Sequence, residues 1–294
     1  MPFEFKKLVN HGVNNPIVAR LSLQNLRILE NCKTEKKIKD AVGELYTKSL
    51  MMKLLRCWEV EEAFNRSFEK GQAEYKPAPA NAPVHVPQIE KLEQDAHNFL
   101  YEAKNYIRDL LYVINKLYGT PFSDASEFSR PKKGGKSLIE FASEKFGEDD
   151  GRTKWLKGAA PLVEEVIAMR NAVEHPEGYS GTLVIENFTR AVDGKLAEPL
   201  WHRTKDGKML TQSGSIRADY RTIIEGLLDL GDDLLAIWAN DNMEAPGMMQ
   251  VLHIPEEKRD PQNPAKYTVG PGPKLQEAME KLPQQDGPGD QNDR

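Results

Sequence analysis

Ile89, Leu92, Ala96, Phe99, Ala103, Ile107, Leu110, Ile114 and Leu117 form one unbroken apolar stripe at three- and four-residue spacing. That periodicity predicts a single helix from about Gln88 to Tyr118 with one greasy face. Such a helix draws its stability from packing rather than from propensity, so the stripe must meet other helices or a second copy of itself. Other segments carry the same period. Ile17–Asn31 is amphipathic, and Thr34–Lys70 holds Ile38, Val42, Leu45, Leu50, Leu54, Trp58 and Phe64 near helical spacing. A short helix is expected at about Ser137–Phe146, and another carries Leu156, Ala159, Val163, Val166 and Met169. The last, at about Ser215–Asn240, carries Ile223, Leu227, Leu230, Leu234 and Trp238. The fold class is therefore mostly α, an antiparallel helical bundle.

Breaks between these segments divide the chain. Residues 1–70 read as an N-terminal helical region. Pro77, Pro79, Pro83 and Pro87 forbid regular helix across 71–87, which reads as a linker and domain edge, although the N-terminal helices could dock back on the bundle. The bundle occupies 88–242, with an antiparallel β insertion at about 181–212 before its last helix. There Thr182–Phe188 alternates like a strand, and Asp193-Gly194 and Asp206-Gly207 mark hairpin turns. Trp201 and His202 would cover either the bundle or an active groove. Residues 243–294, rich in Pro, Gly, Gln and Asp, read as a flexible tail with a weak helical hint at Lys274–Leu282.

Composition narrows the function classes. With 294 residues and a formal net charge of −5, the chain is no bulk polyanion binder, and any nucleic-acid contact must come from a local patch. Cys32 and Cys57 lack metal-ligand spacing and suit reduced thiols. No signal pattern opens the chain and no apolar run is long enough for a membrane span, so a cytoplasmic location is expected.

The most chemically loaded stretch is Arg170-Asn171-Ala172-Val173-Glu174-His175-Pro176, where the apolar-periodic helix ends. Pro176 disfavours helix at its predecessor, placing His175 at or just past the last turn. Asn171 and His175, four apart, share a face. Arg170 sits about 140° away on the wheel but has the reach to approach the same spot. A fixed cation and an imidazole within six residues can hold a phosphate and move a proton without a metal or cofactor.

The R-N-x-x-x-H string resembles the signature of the HEPN superfamily, and the helix order around it, over about 88–240, is similar to the HEPN bundle. The resemblance implies a HEPN-like fold and a metal-independent endoribonuclease working as a homodimer, with two motifs facing each other. RNA would be the substrate, in a bacterial toxin or phage-defence setting, with an antitoxin or other regulatory protein as a further partner. In that reading His175 is the base or acid, Arg170 stabilises the pentavalent phosphorus, and Asn171 orients the phosphate or the imidazole. Other members of the superfamily are nucleotide-binding or structural modules, so a non-enzymatic dimerisation or nucleotide-binding role is the alternative. An adaptor using the acidic tail is a third. HEPN toxins paired with nucleotidyltransferases carry a Tyr two residues after the His. Here that position is Glu177 and the nearest tyrosine is Tyr179, so that mode of regulation does not carry over.

Candidate RNA contacts are Lys132, Lys133 and Lys136 of a basic loop, with Lys154 and Lys157 near the motif helix; a plainly solvated charged surface explains them equally well. The Gly134-Gly135-Lys136-Ser137 string lacks the leading glycine and preceding strand of a phosphate-binding loop. Glu148-Asp149-Asp150 lacks calcium-loop spacing, and His202 and Asp206 match an acyltransferase H-x-x-x-D pattern by spacing alone. On the long helix, Asn98, Asn105 and Arg108 are candidates to face the motif.

Overall fold

The computed structural model describes residues 10–77 and 83–280. Pro79, the first nine residues and the tail beyond Glu280, Leu282 included, lie outside the described residues. The protein is mostly helical with small antiparallel sheets. Helices α1 (Pro16–Val18) and α2 (Asn25–Glu30) are joined through a π-helical stretch, Ala19–Gln24. A second π stretch, Leu45–Leu50, joins α3 (Lys36–Glu44) to α4 (Met51–Glu74). Then come α5 (Leu92–Tyr118), a 3₁₀ turn at Ala125–Phe128, α6 (Leu138–Phe146) and α7 (Gly151–Glu174).

α5 is the central member: it packs on α4, α7 and α8 (Ile216–Asp241), and its stripe from Phe99 to Ile114 is buried. The helix starts at Leu92 rather than near Gln88, because the backbone of Ile89 is already engaged. Asn187 Oδ1 accepts from the Ile89 amide at 3.0 Å, and Asn187 Nδ2 donates to its carbonyl at 2.9 Å. α6 begins with a reciprocal cap in which Ser137 and Glu140 satisfy each other's backbone amides. α7 runs through Pro161 without ending there and stops at His175, ahead of Pro176, as the sequence requires.

Four strands of the insertion make one small sheet. β1 (Thr182–Glu186) pairs with β4 (Leu200–Lys205) in the register Thr182↔Thr204, and β5 (Lys208–Met209) and β6 (Gly214–Ser215) also pair with β4. β2 (Thr189–Arg190) and β3 (Leu196–Ala197) form a separate short ribbon. Trp201 covers the bundle: it is 2 % exposed, donates to Asp219 Oδ2 at 2.6 Å and stands edge-on to Tyr220.

Two sequence expectations are corrected. The proline-rich stretch is not a boundary between cores, since α4 packs along α5 and α8 and all three contribute to one hydrophobic core. Phe64 and Phe68 of α4, Phe99 of α5, Tyr220 of α8, Phe188 and Trp201 form a continuous aromatic cluster at this junction. Each buried ring is worth about 1.5–3 kcal/mol, enough to make docking the stable state. Regular helix also extends to Glu74, past the proposed linker start at Gly71. The second correction concerns the tail. β7 (Met249–His253) and β8 (Tyr267–Pro271) pair as a hairpin, followed by α9 (Pro273–Glu280). Lys266 Nζ reaches Asp229 and Asp233 of α8 at 2.8 and 2.7 Å, and Gln24 Oε1 accepts from the amides of Lys266 and Tyr267. Those bonds fix a segment whose composition alone reads as unstructured. Among the described residues no helix is long and apolar enough to cross a membrane.

Candidate functional site

The end of α7 lies beside the middle of α5 and the 3₁₀ turn at Ala125–Phe128. Asn171 accepts a hydrogen bond from Lys104 Nζ of α5 at 2.8 Å. Arg170, one residue back, places its guanidinium over the ring of Tyr101, 5.7 Å from the centroid, and pairs with Glu174 one turn on. His175 caps the helix. Its ring is 70 % exposed, and Nε2 lies 3.5 Å from Glu174 Oε2. Glu174 thus stands between the motif's two positive or titratable groups.

Electrostatics at this spot are those of two partly buried cations held close together. Burial lowers the pKa of the Lys104 ammonium, and the Arg170 charge lowers it further. Burial also lowers Arg170, with Tyr101 and Asp124 opposing. Asp124 caps the 3₁₀ turn. Burial pushes its carboxyl up, but the Ser126 hydroxyl and amide, with Lys104 and Lys132, hold it below the usual carboxylate range. Asp124 therefore serves both cations and Glu174 pairs with Arg170 alone, so an incoming phosphate would compete with Glu174 for that guanidinium.

The turn after the motif is rigidly specified. Gly178 donates to the His175 carbonyl at 2.9 Å. Gly181 has φ +75° and lies so close to β4 that a Cβ there would sit 2.2 Å from the Thr204 carbonyl oxygen. Glu177 occupies the left-handed region at φ 63°, with its amide on Thr182 Oγ1. This turn presents Tyr179 82 % exposed, with the Arg130 guanidinium 5.7 Å from its ring centroid.

Asn171 and Tyr179 also line a groove of about 560 Å³ between α7 and the β insertion. Arg203 of β4 forms part of its wall, donating to the Ser180 carbonyl at 3.2 Å and to Glu165 at 3.1 Å. His175 is not part of that wall and stands outside the groove, at the helix end.

The five expected RNA-contacting lysines do not converge on the motif. Lys132 turns back to Glu127 (3.2 Å) and Ser123, Lys136 pairs with Glu144, Lys154 with Asp149 (3.1 Å) and Lys157 with Glu148. Lys133 has no ion-pair partner among the described residues. The exposed pairs of Lys136, Lys154 and Lys157 are worth about 0–1 kcal/mol each, Lys132 is held by the buried Glu127, and together they make no concentrated basic patch. The groups sequence reasoning missed are Lys104, Asp124 and Arg203, while Arg130 opens the basic loop that the sequence singled out. Lys104 lies three residues from Tyr101, flanking the α5 stripe, which was its only signal in the sequence. Arg108 instead turns to Asp109 and Tyr112, and Asn98 to Gln94.

Among the described residues no three His, Cys, Asp or Glu side chains come together to hold a metal ion. Cys32 and Cys57 are both buried free thiols, raised in pKa by burial, Cys32 to about 11. No protein-family model matches the chain, and no curated protein or solved structure does so.

Proposed function

We propose that this chain is a metal-independent endoribonuclease of the HEPN type, cleaving RNA by attack of its own 2′-hydroxyl at a site completed by a second copy. The observation that carries this reading is the pairing of a two-cation cluster, Lys104 with Arg170, with an exposed imidazole at the same helix end. A phosphodiester held by the two cations would have its developing charge stabilised where it forms. His175 is 70 % exposed, as a general acid or base must be to meet a polymer arriving from solvent. One imidazole cannot be both base and acid in the same step, so the reaction calls for a partner's His175 across a two-fold axis.

Glu174 and Lys104 also support the non-enzymatic alternative, because both motif polar groups, Arg170 and Asn171, already have intramolecular partners. The two readings part in one experiment. Purified protein is incubated with single-stranded and structured RNA in excess EDTA, beside His175→Ala and Arg170→Ala. Cleavage by the wild type that both substitutions abolish establishes the nuclease. No cleavage, or cleavage that survives His175→Ala, overturns it in favour of a binding or dimerisation module.

A further inference from the structure

The groove next to the motif is built for something other than a phosphate. Its Arg203 guanidinium is already spent on Glu165 and the Ser180 carbonyl, and Glu164 adds a second carboxylate to the wall. A phosphate there would meet two anions. The wall also carries the neutral polar groups of Ser126, Ser129 and Asn171. A neutral ligand with polar edges suits a wall that mixes hydroxyl, amide and carboxylate groups. The space, about 560 Å³, falls in the range of small-molecule and nucleotide sites.

A flat ligand also has a platform. Tyr179 stands 82 % exposed on a turn that Gly181 locks in place, and Arg130 covers part of the ring. An exposed ring on a rigid turn, backed by a cation, is the geometry on which nucleobases stack. Donors, acceptors and a stacking face together match a nucleobase. Asn171 is common to the groove wall and the Lys104–Arg170 cluster, so the base would belong to the nucleotide next to the bound phosphate.

We infer that the groove between α7 and the β insertion holds one unpaired base of single-stranded RNA, stacked on Tyr179 against the polar wall that Ser126, Glu164 and Asn171 contribute to. The inference rests on the ribonuclease reading for its substrate class. A-form duplex keeps its bases stacked in a deep narrow groove, out of reach of such a pocket, so duplex RNA is excluded by the same geometry.

The test uses full-length His175→Ala, which cannot cleave under that reading, and a short single-stranded RNA carrying one 2-aminopurine. Expected are a fluorescence change on binding, a roughly ten-fold or greater loss of affinity with Tyr179→Ala, and near-complete retention with Tyr179→Phe. The same sequence in a duplex would give no fluorescence change. In cleavage by otherwise wild-type protein, Tyr179→Ala would raise KM with kcat little altered. Equal affinity of Tyr179→Ala and the parent, or no fluorescence change on binding, overturns the inference. Failure of the nuclease reading registers separately, as absence of cleavage by the wild type while the fluorescence titration still reports on the groove.

Discussion

Replacing Arg20 by Met should be among the most damaging single changes in this protein. Arg20 lies in the π-helical stretch before α2 and is almost wholly buried. Its Nε donates to Asp232 Oδ2 at 2.5 Å and its Nη2 to Asp229 Oδ1 at 2.6 Å. Asp232 is fully buried, and its second oxygen has no hydrogen-bond partner among the described residues. Met keeps the volume of the arginine stem, so no large cavity opens, and the loss is electrostatic. Stranding a buried carboxylate by removing its partner costs about 3–5 kcal/mol. In a chain of this size that is a fall in Tm on the order of 10 °C.

The pH dependence follows from burial, which drives the Asp232 carboxyl up to about 6 even with Arg20 beside it. A carboxyl raised above its unfolded value favours the folded state when protonated. Its contribution is therefore largest below about pH 4 and falls away as pH climbs through about 6. Removing Arg20 raises the carboxyl further, so the deficit of Arg20→Met against wild type should be widest near neutrality and close as pH falls toward 4. Urea unfolding at several pH values measures this directly. The double variant Arg20→Met with Asp232→Leu should recover most of the loss, since no unpaired charge remains. A single-variant loss under about 1 kcal/mol, or a deficit that does not narrow in acid, would refute the account.

Two further outcomes test the motif's surroundings. Glu174→Gln removes the anion that competes with a phosphate for Arg170; even a fully exposed pair is worth up to about 1 kcal/mol and Arg170 is mostly buried, so RNA cleavage or affinity should rise by about five-fold or more. A ten-fold fall in kcat/KM would instead make Glu174 part of the machinery. Gly181→Ala forces an L-residue into φ +75° and against the Thr204 carbonyl, for which a loss of about 2 kcal/mol and a Tm lower by roughly 5 °C is expected by calorimetry. An unchanged Tm would mean that the turn bearing Tyr179 relaxes without cost.

The apolar stripes by themselves determined that α5, α7 and α8 exist, because a 3.6-residue period is a local property of the chain. Pro176 likewise set the end of α7, and Asp193-Gly194 and Asp206-Gly207 marked turns where both glycines take positive φ. What the stripes face was beyond them, since hydrophobic attraction is non-directional and any apolar partner will serve. Only tertiary structure put Phe64 and Phe68 against Tyr220 and Phe188, merging the N-terminal helices with the bundle. The C-terminal hairpin stayed hidden because its stability comes from Lys266, Tyr267 and Gln24 bonds between residues more than two hundred positions apart for the Gln24 pair. The site divides the same way. Arg170, Asn171 and His175 could be named from spacing on one helix, where neighbours in space are neighbours in sequence. Lys104, Arg130, Tyr179 and Arg203 join them from other elements, and the charge crowding that distinguishes the site exists only once the chain has brought those elements together.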